Sequence, residues 1–296
     1  MDKSAIKNQV REFYDQVGWQ QVSEGVYQNA RYEDLRPVSQ EYIHKCHMRV
    51  KRFLAATGDF LLDAGSGPVQ YPEYITYSQD YRFRVCVDIS ITALEEARQR
   101  LGVHGLYVVC DIAHLPFKSE AFDGIVSLHA IHHIPYEGQP DAYLNLFRVL
   151  QAGKSAVIVN AWNYSSLMKR LKWLEKFMDR LSGITRRLFQ PKTQQAALER
   201  TSGSLRSPKT QPTGTYAQHY DAETLLAEFA RFQVPAEIYT WRSLSVRFLR
   251  AVIHPGLAGR GLLRLVYRLE EKYPGYFGRN GQYPLIVLRK PEQETS

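Results

Sequence analysis

The run Phe60-Leu61-Leu62-Asp63-Ala64-Gly65-Ser66-Gly67-Pro68 constrains this chain more than any other segment. A short apolar stretch ends in a carboxylate and passes into a turn with two glycines. That order is expected of a buried parallel strand delivering its end to a small-molecule site. Gly65 and Gly67 permit backbone geometry that a side chain would block, and they let a ligand approach the main chain. Asp63 at the strand end disfavours a phosphate there and favours an amine.

The rest of the chain supplies the sheet that such a strand needs. Strand-like runs at Phe60–Leu62, Phe83–Val87, Leu106–Cys110, Phe122–Leu128 and Ala156–Asn160 alternate with helix-like ones at Pro72–Tyr77, Ile91–Leu101 and Pro140–Leu150. Ser90 is placed as an N-cap. This alternation predicts an α/β fold with a mostly parallel sheet covered on both faces. Helical patterns at 4–16 and 39–56 precede it and form an N-terminal cap, residues 1–58. A core at 59–161 follows, then a basic helical insertion and loop at 162–213. The sheet is completed at 214–296 by a helix at Asp221–Phe229, a strand at Val234–Tyr239, a basic helical stretch over about 245–273 and a last strand at Tyr283–Arg289. The helix expected at 162–190 has a candidate break at Gly183.

In an open parallel sheet, ligands bind beyond the carboxyl ends of the strands. Four strand ends here carry suitable chemistry: Asp63 with its glycines, Asp88, Asp111 and Leu128-His129. Asp88 follows the glycines by roughly twenty residues, the spacing of an acid that accepts from ribose hydroxyls. Asp111 is placed to accept from an adenine amine, with Ile89 and Ile112 as apolar walls. A nicotinamide or flavin dinucleotide is disfavoured, because its pattern needs glycine where Gln70 stands.

Four segments in this order resemble class I S-adenosylmethionine-dependent methyltransferases of the small-molecule, methyltransferase domain 11-like type. They are Leu62-Asp63-Ala64-Gly65-Ser66-Gly67, Val87-Asp88-Ile89-Ser90, Asp111-Ile112-Ala113-His114-Leu115-Pro116-Phe117 and Phe122-Asp123-Gly124-Ile125-Val126-Ser127. The resemblance implies a doubly wound, seven-stranded Rossmann-like sheet and S-adenosylmethionine as cofactor. It implies that Gly65, Ser66 and Gly67 border the methionine moiety and that Asp63 orients its amino group. Asp88 would take the ribose and Asp111 the adenine amine. Leu128 and His129 would touch the cofactor, and Tyr14 would close over it from the cap, where Trp19, Tyr27 and Tyr32 also lie. One departure is Val69, where the family often has a third glycine.

Methyl transfer to a hydroxyl also needs a base. The loop Leu128-His129-Ala130-Ile131-His132-His133-Ile134-Pro135 supplies His133 or His132 for that role, and packing is the alternative for both. Asn160 stands where an orienting carboxylate would be useful. The loop lacks the Asn/Asp-Pro-Pro-aromatic sequence of enzymes acting on exocyclic base amines. No carboxylates accompany the histidines, so no metal is expected. Tyr216, His219 and Tyr220 are further candidates for an acceptor pocket.

The net charge of +8 is unevenly distributed. Residues 161–213 carry eleven Lys/Arg against three Asp/Glu, and 241–296 carry ten against four. In the insertion, Leu167, Leu171, Leu174, Met178, Leu181, Ile184 and Leu188 form an apolar stripe with a cationic rim. Three roles compete for it: a lid on the acceptor pocket, peripheral contact with an anionic membrane surface, and, less favoured, a nucleic-acid contact. The polar N-terminus and the cysteines Cys46, Cys86 and Cys110, which lack metal-ligand spacing, fit a cytoplasmic protein, monomer or homodimer, with reduced thiols. The expected activity is methyl transfer to a small-molecule or lipid-linked acceptor, at oxygen. The alternatives are a nucleic-acid or protein acceptor and a non-catalytic S-adenosylmethionine-binding module.

Overall fold

The computed structural model describes residues 3–23, 26–27, 33–189 and 215–292. The expectations for Tyr32 and the 191–213 loop lie outside the described residues, as do the side chains of Tyr27, Ile184 and Leu188. Helix α1, Lys3–Phe13, buries Ile6, Val10 and Phe13 on one face and runs into a widened helical turn, Tyr14–Gly18. Two short strands, β1 (Gln21–Ser23) and β2 (Val26–Tyr27), pair antiparallel. Helix α2 is Gln40–Met48.

The sheet begins with β3 (Gly58–Ala64), followed by the short helix α3 (Pro72–Ile75), β4 (Tyr81–Asp88), α4 (Ile91–Leu101), β5 (Gly105–Val109), β6 (Gly124–Leu128), α5 (Gln139–Val149) and β7 (Ser155–Val159). After helix α6 (Ser166–Phe189) come α7 (Ala222–Arg231), β8 (Ala236–Arg242), α8 (Val246–Val252), α9 (Gly259–Lys272), α10 (Pro274–Asn280) and β9 (Tyr283–Arg289). Strand order is β5-β4-β3-β6-β7-β9-β8. Only β9 runs antiparallel to its neighbours within this sheet. This is the expected seven-stranded, mostly parallel sheet. The strand order reverses direction between β3 and β6, where such a sheet opens a crevice for ligands.

Alternation along the strands assigns each face its core. Leu62, Ala64, Val87, Ile125 and Ile158 face α5 and α7, which contribute Ala142, Leu146, Leu225 and Phe229. Leu61, Cys86, Val126 and Val157 face the other way, onto Leu94 and Ala97 of α4. Truncating a fully buried leucine such as Leu146 to alanine costs about 2–5 kcal/mol. A third core joins α2, α8 and α9 through Tyr42, Ile43, Phe248, Leu249 and Leu263.

Several element ends follow local chemistry. Ser90 Oγ accepts from the Ala93 amide at 3.1 Å and starts α4 as expected. Helix α6 begins four residues later than expected, where Ser165 Oγ accepts from Met168 N. It runs through Gly183 unbroken; a single helical glycine costs only about 1 kcal/mol. The basic stretch expected over 245–273 is two helices. Pro255 has no N–H to continue α8, and the chain restarts at Ala258, which sits at φ +53°.

Candidate active site

At the carboxyl ends of β3, β4 and β6 lies a cavity of about 440 Å³, a volume suited to a cofactor-sized ligand. Every residue singled out for the cofactor or for catalysis lines it: Tyr14, Asp63, Gly65, Ser66, Gly67, Asp88, Ile89, Asp111, Ile112, Leu128, His129, His132 and His133.

The glycine turn is built as the sequence suggests. Gly65 and Gly67 have φ of +76° and +51°. The amides of Gly65 and Ser66 donate to Val87 O at 2.7 and 3.0 Å, which ties the turn to β4. A Cβ on Gly65 would stand 2.2 Å from that of Ala130, and one on Gly67 would meet the Trp19 ring at 2.9 Å. Val69 adopts φ +51°, a left-handed conformation that a β-branched residue takes only under strain. His129, at the end of β6, is left-handed too, with φ +57°. Such outliers cluster at functional sites.

The three aspartates differ in environment. Asp88 accepts from Gly67 N and Ser90 N, both at 2.9 Å. Burial pushes its carboxyl up to about 6, against the opposing pull of those amides. Asp63 is buried and ion-paired with Arg84 on β4, which donates from Nε and Nη2 to Oδ2. Arg84 was hidden in what read as an apolar strand. Asp111 accepts from Ala113 N at 2.9 Å and is ion-paired with Lys7 of α1. Burial raises the Asp111 carboxyl, but Lys7 and the Ala113 amide outweigh it and hold it below its ordinary value.

The cap closes the site through three bonds to the segments that follow β4, β5 and β6. Besides Lys7 to Asp111, Ser90 Oγ donates to Asp15 at 2.6 Å, and Tyr14 OH meets His133 Nε2 at 2.7 Å. Tyr14 stacks on Trp19, whose ring covers Gly67.

The histidine loop separates its members by role. His133 Nδ1 donates to Tyr216 O at 2.7 Å, so its Nε2 accepts from Tyr14 and both ring nitrogens are engaged. His132 Nδ1 lies 2.9 Å from Asn160 Oδ1, and Asn160 Nδ2 donates to Tyr143 OH at 3.1 Å. This network sets the His132 tautomer, with Nδ1 protonated and Nε2 carrying the lone pair. Burial pushes His132 well below its ordinary value, His133 to about 4 and His129 to about 3. All three are neutral near pH 7.

Residues 215–219 form the facing wall. Gln218 N donates to His132 O at 2.9 Å, and the segment alternates, with Thr215, Ala217 and His219 towards the cavity. Tyr216 and Tyr220 do not line it. Tyr216 OH bonds Gln218 and the Tyr136 amide, and Tyr220 stacks on Tyr136. Only His219 of the three expected residues faces the pocket, because extended backbone sends neighbours to opposite sides. No described residue of α6 lines the cavity. Of its apolar stripe, Leu171, Leu174 and Met178 pack on the third core, and the rest of the insertion expected as a lid, 190–213, lies outside the described residues. The sequence also gave no signal for Glu33, a cavity-lining carboxylate buried against Arg242, 209 residues away.

Residues 62–158 match the family model for a methyltransferase domain. With the fold and site described, this segment is a methyltransferase domain of the class I, S-adenosylmethionine-dependent kind. Over 104 residues the chain is 32% identical to the probable tRNA methyltransferase 9B of Homo sapiens, a match covering 34% of this chain and 21% of that protein. It therefore spans about a fifth of that relative's length. Among solved structures, geranyl diphosphate C-methyltransferase from Streptomyces coelicolor A3(2), in complex with magnesium, geranyl diphosphate and S-adenosylhomocysteine, superposes with a TM-score of 0.52. Identity is 14%, over 96% of this chain and 97% of that one. The cyclase SpnF superposes with a TM-score of 0.50 at 18% identity, over 88% and 85%. At such identities these likenesses show the fold alone, and a cyclase among them shows that the fold does not fix the reaction.

The residues present fit S-adenosylmethionine. Asp88 offers a partly desolvated acceptor inside the cavity, and the glycine turn presents main chain to it. Asp63 keeps Oδ1 clear of the Arg84 bonds, both of which go to Oδ2.

Proposed function

We propose that this protein transfers the methyl group of S-adenosylmethionine to a small-molecule acceptor, at oxygen, with His132 as general base. The carrying observation is the His132–Asn160 bond, which leaves a neutral ring with its Nε2 lone pair available beside the cavity. S-adenosylmethionine, when bound, supplies an electrophilic methyl on a sulfonium. Asp88 accepts the ribose hydroxyls, Asp63 and the glycine turn hold the methionine end, and Asp111 takes the adenine side with Ile89 and Ile112 against the ring. His132 Nε2 receives the acceptor hydroxyl's proton as the oxygen is methylated. Asn160 keeps the ring in that tautomer and cannot itself take the proton. His133, through Tyr14, holds the cap over the site and excludes water. The superposable geranyl diphosphate C-methyltransferase, solved with geranyl diphosphate, supports a small acceptor.

A nucleic-acid acceptor is the second reading, favoured by the likeness to a probable tRNA methyltransferase. The test is incubation with methyl-labelled S-adenosylmethionine against hydroxylated small molecules and against RNA. Label on an oxygen of a small molecule, lost in His132→Gln while S-adenosylhomocysteine still binds, supports the proposal. Label in RNA, or transfer undiminished in His132→Gln, overturns it.

A further inference from the structure

Large apolar side chains left in water are concentrated in two parts of this molecule. Ten of the seventeen exposed among the described residues fall within 164–181 and 257–276. On α6 these include Trp173, 66% exposed, and Phe177. On α9, Leu262, Leu265 and Leu269 recur at helical spacing, with Leu265 53% exposed. Neither set belongs to the helices' packed faces. Helix α6 packs through Leu171, Leu174 and Met178, and α9 through Leu263, Val266 and Tyr267, around the same third core. Each helix is therefore apolar on two sides, one of them unpartnered.

The acids on the two helices are buried or ion-paired. Of the two on α9, one is buried and the other, though exposed, is ion-paired. Glu270 is fully buried against Arg49, Tyr42 and Ser243, and Glu271 pairs with Arg49 and Arg52. On α6, Glu175 is buried, and both it and Asp179 face Arg247. The cations point outward. Arg268 and Lys272 are exposed and spaced four residues apart along one edge of the leucine stripe, and Arg264, one turn earlier, is exposed too but paired with Glu41 of α2. Lys172, Lys176 and Arg180 form a like row on α6 beside Trp173 and Phe177.

An exposed apolar stripe edged by cations, with its own acids buried or ion-paired, is complementary to a surface that is anionic over an apolar interior. We propose that the outer faces of α6 and α9 dock this protein on an anionic lipid bilayer. No helix among the described residues is long and apolar enough to cross a membrane, so the contact is peripheral. The leucines and the Trp173 and Phe177 rings enter the headgroup boundary, and the basic rows face lipid phosphates. This surface lies outside the cavity-lining residues, so the inference stands independently of the acceptor's identity.

The test is co-sedimentation of the full chain with vesicles of phosphatidylcholine alone and of equal parts phosphatidylcholine and phosphatidylglycerol. Binding is expected on the anionic vesicles only and should fall with salt. Leu265→Ser/Leu269→Ser and Arg268→Glu/Lys272→Glu should each weaken it about tenfold or more. The unfolding midpoint should not move in either, because all four side chains are exposed. Three results would overturn the proposal: no binding to anionic vesicles, equal binding to both compositions, or unchanged binding in both variants. A concentration-dependent dimer abolished by Leu265→Ser/Leu269→Ser would also overturn it and assign the face to a second copy of this chain.

Discussion

Asp88 gives the sharpest test of the cofactor site. Its carboxylate already accepts two backbone amides and lies inside the cavity, where burial lifts its pKa to about 6. Ribose hydroxyls need it ionised, so apparent affinity for S-adenosylmethionine tracks the ionised fraction. Well above that pKa the fraction is near one and affinity is flat, and at the pKa itself it is about one half. One unit lower, roughly a tenth of the carboxyl is ionised, and affinity should fall about tenfold. Asp88→Asn removes the charge and one of the two acceptor oxygens. Hydrogen bonds to a charged group contribute about 1.5–3 kcal/mol each, so the variant should bind about a hundredfold more weakly. It should also lose the pH dependence. Isothermal titration calorimetry with S-adenosylhomocysteine, at steps from neutral pH down to about one unit below the Asp88 pKa, measures both effects. A wild-type affinity flat through that range, or an Asp88→Asn affinity equal to wild type, would refute the assignment of the ribose to Asp88.

Three further outcomes follow from the same geometry. Arg84→Met strands the buried Asp63 carboxylate and should cost about 3–5 kcal/mol in urea unfolding; adding Asp63→Leu should recover most of it, and a loss under about 1 kcal/mol would contradict the buried pair. Stability should fall on acidification below the unfolded histidine pKa of about 6.5. The unfolded chain then takes up protons that His129 and His133 refuse until about 3 and about 4, whereas Asp88 works against this by protonating first in the folded state. With two histidines against one aspartate, the net loss is about 1.4 kcal/mol per pH unit, and the depressed His132 adds in the same direction; urea melts across that range that show constant or rising stability would exclude it. Tyr14→Phe removes the bond to His133 and should weaken S-adenosylhomocysteine binding by roughly tenfold, whereas His132→Gln should leave that affinity unchanged and abolish transfer, a contrast that calorimetry and label transfer resolve.

What the sequence disclosed was set by how local each cause is. The turn at Asp63–Gly67 is legible because strand, carboxylate and glycines are contiguous, and β9 is legible over Tyr283–Arg289 because it is an apolar run with clear ends. Ser90 reveals α4 because a cap acts over three residues. The break at Pro255 was equally local, but the basic amphipathic pattern on both sides of it reads as one helix. Non-local causes were silent. Arg84 looks like an interruption in an apolar strand until parallel pairing sets β4 beside β3 and brings Asp63, twenty-one residues earlier, against it. Glu33 is held in the cavity wall by partners distant in sequence, Arg242 on the far strand of the sheet and Arg250, which donates to its carbonyl. The histidine loop falls between these cases. Its residue types announce acid–base chemistry, but which ring holds a usable lone pair depends on Asn160, twenty-eight residues on, and on Tyr14 and Tyr216, both distant in sequence. The same loop therefore pointed to where the proposal sets catalysis without distinguishing base from positioning residue, and the proposed choice between them rests on two hydrogen bonds that single substitutions can remove.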